Sequence, residues 1–68
     1  MIPEVGEYYI YQNGDIIKIE KIVDISGNLA TYRIINNYQN MGAIFIPLPS
    51  QYTKIHPILV KLWRLDEA

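Results

Sequence analysis

GEYYIYQNGDIIKIEKIV, residues 6–23, decides how this chain is read. Two runs, YYIY and IIKI, flank Asn13-Gly14. Tyrosine and isoleucine favour the pleated surface of a strand. Asn-Gly is the strongest short hairpin signal, because a type I′ turn needs positive φ at both central residues. The stretch therefore reads as an antiparallel hairpin. Its second arm alternates imperfectly. Ile17, Ile19 and Val23 share a face with Lys21, while Ile16 and Ile22 share the other with Lys18, Glu20 and Asp24. A bulge near Glu20–Lys21 would re-aim the later residues, and a long, bent second strand is what a small barrel requires. A helix over residues 1–46 is disfavoured by crowded β-branched and aromatic residues and by recurrent Gly and Asn.

Working outward, Ser26-Gly27-Asn28 marks a second turn and NNYQNMG (36–42) a longer third one. Strands are expected over residues 7–12, 15–25, 29–36, 42–46 and 58–64. The segment between Pro49 and Pro57 predicts one short helical or 3-10 turn, with Ser50 as its N-cap and Pro57 at its end. The run ILVKLWRL (58–65) fits either period. Val60 and the preceding proline favour a strand; Leu, Lys and Arg favour a helix; strand is the reading taken. The expected fold is all-β: a small five-stranded barrel with one short 3-10 or helical turn before the last strand, residues 1–68 forming a single domain.

Size and composition set further bounds. A chain of 68 residues builds only a small core. There is no cysteine, so disulfides are excluded, and the lone His56 cannot make a structural zinc site. No metal or cofactor is expected. Half the residues are hydrophobic and 19% are charged, which suits an apolar core or one shared with a second copy in a homo-oligomer. The net charge of −1 lacks the basic excess that phosphate binding normally needs. No apolar run reaches the ~20 residues that span a bilayer. MIPEVGEYY carries acids where a signal peptide carries lysines, so the expectation is a cytoplasmic protein with no membrane partner. Thirteen isoleucines, six tyrosines and five asparagines are A/T-rich-codon residues, which fit a low-GC bacterium, its phages or some archaeal viruses. With the short, self-contained chain they suggest a phage or mobile-element accessory protein acting on a host protein.

The order of hairpins, longer loop, short turn and final strand resembles the SH3-like small barrels, the group of SH3, Tudor, KOW and Sm-type domains. The residues carrying the likeness are VGEYYIYQNGDIIKIEKIV (5–23), DISGN (24–28), LATYRI (29–34) and IPLPSQYTKI (46–55). The ALYDY signature of peptide-binding SH3 domains is absent; EYYIY (7–11) is a loose echo of it. The resemblance implies an architecture in which aromatic residues line ligand grooves, and no particular function.

Strand alternation puts Tyr9 and Tyr11 on one face of the first strand and Tyr8 and Ile10 on the other. With Tyr8 and Ile10 inward, Tyr9 and Tyr11 form an exposed aromatic pair that Tyr38 and Tyr52 can join. Equally, tyrosines pack flat on small sheets with their hydroxyls in water. Trp63 is the remaining candidate for a protein partner, since tryptophan is enriched at binding hot spots. Lys18, Lys21, Arg33, Lys54, Lys61 and Arg64, interleaved with tyrosines, define the alternative of a nucleic-acid-binding barrel. A further alternative is a structural subunit that forms homo-oligomers through the C-terminal strand. Pro47-Leu48-Pro49 reads as a rigid loop. His56 is the sole general base near neutral pH, and nothing in the spacing gives it catalytic company, so no enzyme is expected. The reading is a non-catalytic module that binds a protein partner through exposed aromatics.

Overall fold

In the computed structural model the described residues are 2–24, 28–36 and 40–63. They form five antiparallel strands followed by one helix: β1 (Tyr8–Tyr11), β2 (Ile16–Asp24), β3 (Leu29–Ile34), β4 (Met41–Phe45), β5 (Tyr52–Ile55) and α1 (Pro57–Trp63). The strands make one curled sheet in the order β4-β3-β2-β1-β5, so the fifth strand closes against the first.

The β1–β2 hairpin forms, with Tyr9 opposite Ile17 and Ile10 opposite Ile16, but not through the expected type I′ turn. Only Gly14, at φ 98°, has positive φ there. Gly14 N–H donates to the Tyr11 carbonyl and Tyr11 N–H to the Asp15 carbonyl. That pattern is a three-residue loop with glycine in the left-handed position. Asn13 serves by its side chain instead, its Oδ1 accepting the Asp15 N–H at 2.9 Å.

The expected bulge is present. The β2–β3 register shifts between Ile19 and Lys21 and again between Ile22 and Asp24. The first shift turns Ile22 onto the same side as Ile17 and Ile19 and leaves Lys21 exposed. Both shifts increase twist and bend the strand. Curvature shows in the core. Tyr9 of β1 and Ile44 of β4 stand three strand spacings apart, about 14 Å in a flat sheet, yet they belong to one buried cluster with Ile17, Ile19, Ala30 and Ile46.

The last two elements exchange places relative to the sequence reading. A tight turn, closed by Tyr52 N–H on the Pro49 carbonyl, precedes the final strand as expected. That strand, however, is 52–55, and the segment read as strand 58–64 is helical over Pro57–Trp63. Pro57 starts the helix rather than stopping one. Proline at the first helical position needs no N–H partner and has a fitting φ. His56 caps it: Nδ1 accepts the Ile58 N–H at 3.1 Å, and the His56 carbonyl accepts the Leu59 N–H.

The helix changes what the sheet buries. Val60, at 0% exposure, packs with Tyr8, Ile16 and Ile35, against Ile10 and Ile55, on the face of the sheet opposite the main core. Both faces around β1 are therefore covered. Tyr8 and Tyr9 point to opposite sides and are both buried, at 7% and 1% exposure.

Candidate binding surface

Tyr9, expected in an exposed pair with Tyr11, is a core residue. Its hydroxyl donates to Glu7 Oε1 at 2.9 Å. The same oxygen accepts the Glu4 N–H at 2.8 Å, and Glu7 Oε2 accepts from Lys54 Nζ at 2.6 Å. Lys54 first, then the Glu4 N–H, hold the Glu7 carboxyl below its ordinary value; burial opposes them, and the Tyr9 hydroxyl adds a lesser lowering. The Tyr9 phenol is pushed up to about 12, by burial first and then by its hydrogen bond to the Glu7 carboxylate. This cluster ties residues 4–9 to β5.

Tyr11 and Tyr52 do meet, with ring centroids 4.7 Å apart and planes tilted by 50°. Both are half-buried, and Tyr52 and Tyr32 pack against the main core. Burial, then the nearby Tyr32 and Tyr11 hydroxyls and Asp15, raise the Tyr52 phenol above its ordinary value. Tyr11 and Tyr52 thus form a partly covered pair, with Tyr32 packed on the same core nearby. Sequence alternation alone did not show that Tyr32 lies there. Tyr38 and Arg64, like residues 25–27 of the second turn, lie outside the described residues.

Among the described cations, Lys18 and Arg33 stand opposite each other on β2 and β3, with Lys21 opposite Thr31 on the same face, but Lys18, Arg33 and Lys54 each have a partner of their own. Lys18 Nζ lies 5.6 Å from the centre of the Tyr8 ring, Arg33 Nε bonds Glu20 Oε1 at 3.2 Å, and Lys54 is held by Glu7. Lys21 and Lys61 are exposed on different elements, β2 and α1. Among the described residues no group of three or more His, Cys, Asp or Glu is placed to hold a metal ion.

Exposed apolar side chains do gather, on α1. Of its seven residues only Val60 is buried. Ile58, Leu59, Leu62 (68% exposed) and Trp63 (51%) face solvent. The start of α1 borders a groove of about 640 Å³ lined by Val5, Gly6, Glu7, Tyr8, Lys54, Ile55, His56 and Pro57. Tyr8 and Ile55 supply it with apolar surface, and the Glu7–Lys54 pair adds one polar patch. Of the described aromatic residues proposed from sequence, Trp63 is thus the most accessible, on a helix rather than a strand. The segment expected as a C-terminal pairing strand is helical over Pro57–Trp63, so those residues present no strand edge.

The described residues therefore define a class: a five-stranded, curled antiparallel sheet with a C-terminal helix that leaves its apolar side open. Comparison with protein-family models, curated proteins and solved structures finds no match.

Proposed function

We propose that this chain is an SH3-like barrel that acts by binding a protein partner, without catalysis, and that α1 with its adjoining groove is the docking surface. The strand order β4-β3-β2-β1-β5, with the last strand beside the first, supports the SH3-like reading. One observation carries the binding reading: a chain with a small core leaves Ile58, Leu59, Leu62 and Trp63 exposed on a single seven-residue helix. Contiguous exposed apolar surface of this kind marks interaction sites in small soluble domains. A tryptophan beside a groove supplies an anchor of the type found at hot spots.

The test is capture from an extract of the native cell, with wild type against Trp63→Ala, Leu62→Asp and the off-surface variant Lys21→Ala. The proposal expects a protein partner, held as salt is raised, and weakened by about tenfold or more in the two α1 variants alone. Capture of nucleic acid with a steep loss on added salt would support the alternative barrel function instead. Equal capture by all four proteins would remove α1 from the account.

A further inference from the structure

β4 is one edge of the sheet, and within its five residues, which end two before Pro47, it lacks the devices that keep edges from pairing. Residues 41–45 read Met-Gly-Ala-Ile-Phe, with no charge and no proline. Edge strands are ordinarily blunted by lysine, proline or a bulge. The pairing of β4 with β3 runs without a register shift. The opposite edge, β5, is only four residues long, includes Lys54 and lies between Pro49 and Pro57. Even the glycine of β4 is reinforced. Tyr32 lies across Gly42, so a Cβ there would come within 2.7 Å of the Tyr32 hydroxyl.

The phase of the hydrogen bonds tells which groups stay open. Ile34 N–H donates to the Asn40 carbonyl at 2.9 Å and Ile46 N–H to the Asn28 carbonyl at 2.8 Å. Bonded pairs alternate along an antiparallel ladder. With Tyr32 opposite Gly42 and Ala30 opposite Ile44, residues 40, 42, 44 and 46 turn their backbone groups toward β3. Met41, Ala43 and Phe45 turn theirs to the open side, where no described residue bonds them. The side chains of these same three residues are exposed, Met41 at 66% and Phe45 at 71%.

We propose that β4 pairs antiparallel with β4 of a second copy about a two-fold axis at Ala43. In that register Ala43 faces the partner's Ala43 and Met41 faces the partner's Phe45. Every outward N–H and C=O of the three residues is then bonded. A slip by two residues leaves one of the three without its mate. A thioether against an aromatic ring is a favourable cross-strand contact, and alanine at the axis lets the backbones close. α1 packs over β1 and β5, away from this edge, so the inference is independent of the docking surface above. Ten strands in one twisted sheet lie within the usual range. The strip is smaller than a standard interface of about 1,600 Å², so the association is reversible and depends on concentration.

The chain has no cysteine, which makes the test clean. Light scattering from nanomolar to millimolar protein is expected to show the mass rise from one chain to two. Ala43→Cys, under mild oxidation, is expected to give a covalent two-chain species, because opposed bonded residues sit about 5.5 Å apart at Cα, within disulfide reach. Lys21→Cys, exposed two strands away, serves as the collision control and stays largely uncrosslinked. Ala43→Lys opposes like charges at the axis and is expected to raise the midpoint concentration about fivefold or more, with an unchanged circular-dichroism spectrum. A one-chain mass throughout, equal crosslinking of the two cysteine variants, or assembly beyond two chains would each overturn the proposal. Should the lysine variant fail to fold, the cysteine pair still decides the register.

Discussion

Tyr9 offers a sharp prediction because one buried hydroxyl links the core to the N-terminal segment. Its phenol stands at about 12 in the fold against an ordinary 10.0. Between those pH values the unfolded chain has released the proton and the folded chain still holds it. The unfolded state thus binds fewer protons, and stability falls as pH rises through this window. Two pKa units correspond to about 2.7 kcal/mol at full displacement. Tyr52, also raised, adds loss in the same direction. Tyr9→Phe keeps the ring and removes the hydroxyl. At neutral pH it is expected to cost about 1 kcal/mol, one hydrogen bond, since Glu7 retains Lys54 and the Glu4 N–H. Above pH 10 the variant is expected to lose about 2 kcal/mol less than wild type, leaving the Tyr52 part. Urea titrations at a series of alkaline pH values measure this directly. Parallel curves for the two proteins would refute the burial and bonding assigned to Tyr9.

Further outcomes follow from the same geometry. Glu7 is held below 4.5, so its stabilisation is present above that value and is lost as pH falls through the folded pKa; Glu7→Gln should flatten the acid limb of a thermal-melt series. Val60→Ala should destabilise by about 2 kcal/mol in denaturant titration, because Val60 is the helix's one buried anchor, whereas Leu62→Ala should stay within about 0.5 kcal/mol. His56→Ala should cost about 1 kcal/mol by loss of the N-cap, with His56→Asn restoring most of it in the same assay.

The first four strands were legible because turn residues and β-branched runs agree there. The bulge at Glu20 could be read from the conflict between Lys21 and Ile22. The last two elements were not legible, for a physical reason. YTKI carries only two apolar residues and gains its place by pairing with β1, a long-range contact with no local trace. PILVKLW has one core contact, Val60, so neither period stands out. The useful signal was His56-Pro57, a capping side chain before a proline, which starts a helix as readily as it ends one. That miss spread to the tyrosines. Alternation assigned Tyr8 and Tyr9 to opposite faces, but burial of both depended on a helix over the second face. Whether Trp63 closes the core or faces solvent was not legible, because its exposure depends on which way α1 lies on the sheet.

Trp63 is the chain's single tryptophan, so incorporation of 5-fluorotryptophan gives one fluorine signal placed on the surface held to do the binding. Titrating the captured partner into the labelled protein is expected to shift or broaden that signal in step with binding. A resonance that stays fixed while the complex forms would contradict the claim that α1 is where this protein meets its partner.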